Sequence, residues 1–245
     1  MNERDLKLAE EVGSHIQPNG SPAVYILTTK YTNLVRTNLV LLKAFLDMKT
    51  TRGMMITIDR PHQYISHLLQ LHGIDQARLV FIDAISNHAS DTKAAPNVEA
   101  FQSGPFYIET LPDFIISCDG RDPESKVDMS NTEFILMDNV STLLTYNSME
   151  NVKTFFSRYV GVLKERSSAS LATLIVIDRD LHADLYSFIS PFARKIIEIS
   201  TDMKVGNVVE PKYTTSQQSR PSANGLADSD RSEPELQTKE STGEM

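Results

Sequence analysis

Short apolar runs rich in β-branched residues alternate with longer stretches of helical period from residue 23 to about residue 200. This alternation is typical of repeated strand-helix-strand units, which build a parallel sheet with helices on its faces. Most of the runs lack polar alternation, which favours strands buried on both faces. We therefore predict strands at AVYILTT (23–29), GMMITID (53–59), ARLVFIDAI (77–85), EFILMD (133–138), LATLIVID (171–178) and ARKIIEIS (193–200).

Three of the stretches between these runs place apolar residues three and four positions apart, so each can lay one apolar stripe against the sheet. These helices are LVRTNLVLLKAFLDMK (34–49), PHQYISHLLQLHG (61–73) and MENVKTFFSRYVGVLKER (149–166). Gly73 is expected to cap the second of them. The proline-containing segment 86–132 breaks the rhythm, and we predict a short extra strand there, around FYIE (106–109) or FIISC (114–118).

The two ends of the chain differ in composition from the middle. The N-terminus is charged and carries apolar residues at helical spacing, so we predict a helix within residues 1–20 rather than an export signal. Residues 204–245 are rich in Ser, Thr, Pro, Gln and charge, which predicts a disordered tail that cannot offset its ordering entropy. Residues 21–203 remain as one α/β domain.

Composition excludes several classes of function. The single cysteine, Cys118, permits neither an intramolecular disulfide nor a cysteine-based zinc cluster, so we expect a reducing, cytoplasmic location. A formal net charge of −8 argues against nucleic-acid binding, and no apolar run approaches the ~20 residues of a membrane span. His62, His67 and His72 recur every five residues and do not share a helix face, so we predict surface histidines and no metal site.

Acidic residues follow four of the predicted strands, at Asp59, Asp83, Asp138 and Asp178. Ligands of open parallel sheets bind at the carboxyl ends of the strands, which is where these residues lie. An apolar strand ending in Asp, as in EFILMD, also matches a Walker B motif, whose carboxylate holds magnesium. For Asp138 the favoured alternative is an N-cap of the next helix, and for Asp83 and Asp178 it is satisfaction of nearby backbone donors.

Two stretches resemble the RecA superfamily and, within it, the KaiC-like archaeal and bacterial ATPases. FILMDNVSTLLTYNSMENVKTFFSRYVGVLKER (134–166) is similar to that family's Walker B strand, polar turn and long helix. MITIDRPHQYISHLLQLHGIDQARLVFIDAIS (55–86) is similar to its second strand, proline-started helix and third strand. With the first strand and helix, the resemblance covers most of residues 20–200. It implies a three-layer RecA-like (P-loop NTPase) α/β fold with a mostly parallel central sheet.

The sequence departs from this family where phosphates would bind. A P-loop, G-x-x-x-x-G-K-[ST], needs glycines so that backbone N–H groups can turn toward phosphate. Laid on the first strand and helix, the motif puts Lys30, Asn33 and Val35 at glycine positions, and Arg36 and Thr37 on its lysine and threonine. Where the family carries adjacent glutamates after the second strand, this chain has Asp59 and Arg60.

The resemblance and its departures together indicate a catalytically inactive module with a regulatory or scaffolding role in signal transduction. Its expected partner is another protein, a competent KaiC-like ATPase or a second copy, and no cofactor is expected. The alternative is a noncanonical ATPase that binds Mg-ATP through remnant nucleotide-binding residues, namely Arg36, Thr37, Asp59 and Asp138. A receiver-like domain ranks lower, because it needs an acidic pair where this chain has Thr28, Thr29 and Lys30.

Overall fold

Six strands form at the six apolar runs, as predicted. The computed structural model describes residues 1–17, 20–48, 52–86, 95–120, 126–168 and 170–211. Their strands are β1 (Ala23–Thr28), β2 (Arg52–Thr57), β3 (Leu79–Asp83), β4 (Val98–Ala100), β5 (Thr132–Met137), β6 (Ala172–Ile177), β7 (Ala193–Ile199) and β8 (Val205–Val209). They lie in one sheet in the order β4-β3-β2-β5-β6-β1-β7-β8. All neighbouring pairs are parallel except β7 and β8, which are antiparallel.

Helices cover both faces of this sheet. The α-helices are α1 (Glu3–His15), α2 (Leu34–Met48), α3 (His62–Leu71), α4 (Leu111–Cys118), α5 (Leu143–Tyr146), α6 (Met149–Arg166) and α7 (Ala183–Ile189). Gly73, at φ +62°, follows α3 as the predicted cap, and the N–H of Ile74 donates to the carbonyl of Leu69 at 2.9 Å. None of the helices in the described part of the chain combines the length and hydropathy needed to cross a bilayer.

Two apolar clusters, one on each face, hold the layers together. Successive strand residues point to opposite faces, so Tyr25 and Leu27 of β1 pack with α1, α2 and α3, whereas Val24 and Ile26 pack with α4 to α7. Each fully buried large apolar side chain stabilises the fold by about 1.5–3 kcal/mol relative to its exposed state. The architecture is therefore the expected three-layer α/β fold with a mostly parallel sheet.

The segment between β3 and β5 differs from our prediction. Its extra strand is β4, at Val98–Ala100, whereas Gly104–Thr110 forms 3₁₀ turns with a kink at Tyr107 and Leu111–Cys118 forms α4. A strand around FYIE or FIISC was therefore wrong. Pro105 and Pro112 each lie in the first turn of these helices, where proline's fixed φ and missing N–H are tolerated. These prolines were signals of helix starts rather than of an interrupted strand.

The sheet also continues past residue 203, where we placed the end of the domain. β8 pairs with β7, with Ile197 opposite Val208 and Ile199 opposite Val205. The β-branched valines of this short strand favour extended backbone and pack against the edge of the sheet. Residues 212–245, most of the predicted tail, lie outside the described residues.

Candidate functional site

The carboxyl ends of the parallel strands meet at one edge of the sheet, where the chemistry of such folds is found. Four acids lie there: Asp83 is the last residue of β3, and Asp59, Asp138 and Asp178 follow β2, β5 and β6. The sheet order places β6 between β5 and β1. Asp178, rather than Asp138, is therefore the acid that follows the strand next to β1.

The turn after β1 is a closed 3₁₀ helix at Tyr31–Asn33 that leads directly into α2. The N–H of Asn33 donates to the carbonyl of Lys30 at 2.8 Å. Positive φ angles among the described residues occur only at Gly20, Gly73, Gly104, Gly120, Asn139 and Met203, so none falls between residues 30 and 37. Without such angles, successive N–H groups do not converge into the concave anion-binding nest of a P-loop.

One backbone N–H of this turn already donates a hydrogen bond to a carboxylate. Asp178, which is 5% exposed, accepts the N–H of Tyr31 at 2.8 Å and that of Asp180 at 3.0 Å. The ammonium group of Lys30 pairs with Asp180. A small cavity of about 240 Å³ adjoins the turn, and its lining carries both signs of charge, including Lys30, Arg179 and Glu198.

Arg36 and Thr37, the predicted remnants of the P-loop, lie in the first turn of α2. The guanidinium of Arg36 binds Asp5 of α1, with Nε and Nη2 at 2.9 and 2.8 Å from Oδ1. Thr37 is fully buried, and its Oγ1 has no hydrogen-bond partner within the described residues. The structure thus joins Arg36 to the N-terminal helix, and no hydrogen bond or ion pair among the described residues links it to Asp59 or Asp138.

Asp59 and Asp138, by contrast, are brought together across the ends of β2 and β5. Asp138 Oδ1 accepts the N–H of Ile58 at 2.6 Å and, more weakly, that of Asp59 at 3.4 Å. Asp59 in turn accepts the hydroxyl of Thr142 at 2.9 Å and lies 3.2 Å from the guanidinium of Arg60. The predicted N-cap role of Asp138 was wrong, because its side chain accepts the backbone N–H groups that follow β2 instead.

The protonation of Asp138 follows from its burial. Desolvation raises the pKa of this carboxyl to about 7, aided by the negative charge of Asp59 and opposed by the N–H groups that it accepts. One oxygen of this carboxyl is engaged by the backbone N–H donors that follow β2. In this setting Asp138 acts as a hydrogen-bonding bridge between two strand ends.

A second cluster forms around Asp83, which is 1% exposed. Its carboxylate accepts the N–H groups of His62, Ile85 and Ser86, each at 2.9 Å, and contacts the ring Nδ1 of His62. Burial raises the pKa of Asp83, but the hydrogen bonds from His62 and Ser86 outweigh it and hold the pKa well below its usual range. The expected capture of backbone donors by Asp83 is therefore confirmed.

His62 is buried, so our prediction of a surface histidine was wrong for this residue, although His67 and His72 are exposed. Its partner lies 21 positions away on the next strand, and spacing along one helix gives no signal of such a pair. The position of His62 directly after Pro61, at the start of a helix beside a strand-ending acid, was the available clue. No metal-binding group of three His, Cys, Asp or Glu residues occurs among the residues that the structure describes.

Several solved archaeal structures share this fold. An uncharacterized protein of Pyrococcus horikoshii, crystallised in complex with an unknown peptide, has a TM-score of 0.58 at 14% identity, covering 83% of this chain and 88% of its own. Another protein of that organism has a TM-score of 0.51 at 8% identity, covering 85% and 93%. A KaiC-like protein from the same hyperthermophile has a TM-score of 0.51 at 11% identity, covering 78% and 80%.

These likenesses establish the fold of this chain, which is RecA-like and KaiC-like. No protein-family model matches the sequence, and no curated protein sequence matches it significantly. The function of the chain therefore has to be argued from its own residues.

Proposed function

We propose that this chain is a catalytically inactive RecA-like, KaiC-like domain, which acts as a regulatory or scaffolding module by binding another protein in cytoplasmic signalling. The observation that carries the proposal is the hydrogen bond from the Tyr31 N–H to Asp178. The negative charge of this carboxylate stands where a phosphate would need to approach the turn. Two like unit charges 4 Å apart near a protein surface repel each other by about 4 kcal/mol. This repulsion exceeds the net stabilisation that one backbone hydrogen bond to the phosphate would give.

The cation that could offset this repulsion is held elsewhere. Arg36 would have to leave Asp5, a side chain only 8% exposed, to reach a nucleotide. Removing one partner of such a pair leaves a poorly solvated charge behind, which is costly. The contacts of Asp59 and Asp138 likewise lie within the protein, on Thr142, Arg60 and the exit of β2.

Apolar side chains beside Asp178 support a role in protein binding. The N–H groups of Tyr31 and Leu181 both donate to this carboxylate, so the two residues lie together. Their side chains are 54% and 60% exposed, which is high for large apolar groups. We place the partner contact at this edge because two large apolar side chains are exposed side by side there, and one structural relative was crystallised in complex with an unknown peptide.

Thermal unfolding with Mg-ATP, Mg-ADP and Mg-GTP tests the loss of nucleotide binding. A ligand at about 100 times its dissociation constant stabilises the native state by ~2.7 kcal/mol, a shift of several degrees. We expect no saturable shift at millimolar nucleotide, with an active KaiC-like ATPase as the positive control. A concentration-dependent rise that Arg36→Met or Asp59→Asn removes would instead favour the noncanonical ATPase.

Affinity capture from native cytosol, followed by sedimentation, tests the binding role. We expect a stoichiometric protein partner or a homo-oligomer. Leu181→Glu should reduce its recovery at least about tenfold, because it buries a charge at the contact. Leu71→Glu is the matched control, since Leu71 is 66% exposed at the end of α3. A monomer that retains no partner would contradict the proposal.

A further inference from the structure

A larger cleft lies between α3 and the amino ends of β2 and β3. Its volume is about 840 Å³, which is within the range of sites for small molecules. Arg52 and Leu79, the first residues of β2 and β3, line one side of it, and residues of α3 from His62 to Gln70 line the other. This cleft is distinct from the turn after β1 and from the proposed protein contact at Tyr31 and Leu181.

The described lining of the cleft is positively charged, although the whole chain carries a negative net charge. Arg52, Arg78 and Lys126 line it together with His62 and His67, and none of the described lining residues is Asp or Glu. The formal net charge of the chain is −8. Cations gathered without a lining carboxylate raise the local concentration of anions and favour their binding.

Backbone carbonyls hold the basic side chains in place. The ammonium of Lys126 donates to the carbonyls of Val98 and Ala95 at 2.7 and 3.2 Å, and Arg52 Nη1 lies 3.5 Å from the carbonyl of Lys126. The guanidinium of Arg78 donates to the carbonyl of Leu46. A carbonyl orients a cation without cancelling its charge, so these contacts position the side chains of Arg52 and Lys126 without neutralising them.

Two acids of the described part of the chain lie beside lining residues of the cleft, and both bind other groups. Asp83 lies behind His62 and binds its Nδ1, and Glu99 accepts the backbone N–H of Lys126 at 3.3 Å. Neutral donors complete the lining, and they are Gln63, Ser66, Gln70, Gln76 and Asn97. Amides beside guanidinium and ammonium groups are the donors that bind oxyanions.

We propose that this cleft binds a small, multiply charged oxyanion, a polar metabolite that carries phosphate or carboxylate groups. Arg52 and Lys126 bind its charged oxygens, and the amides of α3 bind the rest. A phosphate and a carboxylate present the same acceptor oxygens to these donors, so the chemistry common to both defines the ligand.

Isothermal titration calorimetry on the full chain tests the proposal with two probes, which are compared at the same ionic strength. Pyrophosphate represents phosphate-bearing ligands and citrate represents carboxylate-bearing ones. We expect saturable binding of at least one probe, and the tighter of the two identifies the group. Binding should weaken when sodium chloride is raised from about 0.05 M to about 0.5 M, because salt screens exposed charges.

Two variants place the binding in the cleft. Arg52→Gln removes a charged donor and should weaken binding about tenfold. Gln70→Glu adds a carboxylate to the cleft at an exposed position of α3 and should weaken binding at least as much. Arg166→Gln, an exposed residue at the end of α6, carries the same loss of charge as Arg52→Gln and should leave the affinity unchanged.

Two results would overturn the inference. One is the absence of saturable heat with either probe at millimolar concentration, and the other is an affinity that Arg52→Gln and Gln70→Glu leave intact. The outcome is separable from that of the proposed function. Nucleotide bound at the turn after β1 would survive Gln70→Glu, whereas a nucleotide that uses its phosphates in this cleft would not.

Discussion

The carboxyl group of Asp138 lies beside the end of β2, where burial raises its pKa to about 7. The unfolded chain titrates this group near its ordinary value of 3.8. Between the two values the folded state binds the additional proton, so the free energy of unfolding falls as the pH rises through this window. The contribution of Asp138 is therefore complete below about pH 4 and is lost above about pH 7.

Asp138→Asn should remove this dependence, because the amide oxygen can still accept the N–H of Ile58 but has no proton to lose. A pKa difference of one unit corresponds to about 1.4 kcal/mol. The free energy of unfolding of the native chain should therefore fall by up to about 4 kcal/mol relative to that of the variant as the pH rises from about 4 to about 8. Urea unfolding across that range measures the difference. Glu165→Gln, on the exposed side of α6, should show no such trend, and a flat difference for Asp138→Asn would contradict the assignment.

Sequence pattern located the acids of the site but not their partners. A strand of buried residues that ends in Asp can be recognised from its own period, so Asp59, Asp83, Asp138 and Asp178 were all placed at the carboxyl edge. Some of their donors are two or three residues away, as with Ile85 for Asp83, but others come from distant parts of the chain, as with Ile58 for Asp138 and Tyr31 for Asp178. Such pairs depend on the order of strands in the sheet, which no local pattern specifies.

At the scale of elements, the ion pair of Arg36 and Asp5 connects α1 to α2. Asp5 also belongs to the capping box that starts α1, since its carboxylate accepts the N–H of Asn2 while Asn2 accepts that of Asp5. This pair was not foreseen, because the resemblance assigned Arg36 to phosphate binding. The helix that opens the chain is thus anchored to the domain by both apolar packing and charge.

Arg36→Met keeps the apolar stem but leaves the carboxylate of Asp5 without its cation. We expect a loss of about 1–2 kcal/mol in the free energy of unfolding. Amide hydrogen exchange in α1 should become faster than in the native chain, whereas exchange in α6 should change less. Combining it with Asp5→Asn should cost less than the sum of the two single changes. Full additivity in this double-mutant cycle would show that the two side chains do not interact.

Strand β2 passes directly under an aromatic ring at Gly53. A Cβ atom at this position would overlap the ring of Phe134, which packs against Phe45 with ring centroids 5.2 Å apart. Apolar period identified β2 as a strand, but only the packed structure gives the reason for glycine within it. Strand β4 and the 3₁₀ segment Gly104–Thr110 were not recognised from the sequence, because elements this short show too few repeats of the apolar pattern.

Gly53→Ala should therefore destabilise the fold by about 1–3 kcal/mol through overpacking. Phe134→Leu, added to it, should recover part of the loss because the smaller side chain vacates the space. Gly161→Ala is the matched control, since its Cβ meets nothing within 4 Å on α6 and should stabilise by about 0.5–1 kcal/mol. Thermal or urea unfolding distinguishes these outcomes, and a neutral Gly53→Ala would refute the overlap.

On the scale of the whole molecule, a single compact unit, Met1–Tyr213, contains the sheet and both helical layers. The alternation of strands and helices predicted this architecture, because an apolar strand and an apolar helix stripe have few ways to bury each other. The end of the domain was harder to place, since β8 is five residues long and exposed on one side.

Removal of residues 214–245 should leave the melting temperature within about 1 °C of that of the full chain, because this polar segment has few apolar side chains to bury. Removal of residues 205–245 deletes β8 as well and should lower it by several degrees, because β7 loses its antiparallel neighbour. Differential scanning calorimetry of both truncations measures the contrast. Equal melting temperatures would mean that β8 contributes nothing to stability.

The bond between Asp178 and the Tyr31 N–H bears on how the protein behaves in a living cell. A protein that binds ATP in its folded state alone gains stability from it, so its free energy of unfolding varies with the ATP concentration. Here an aspartate built into the chain supplies the negative charge at that turn at all times. If the proposed loss of nucleotide binding is right, we expect the free energy of unfolding of this chain to be the same at low and at high ATP concentration.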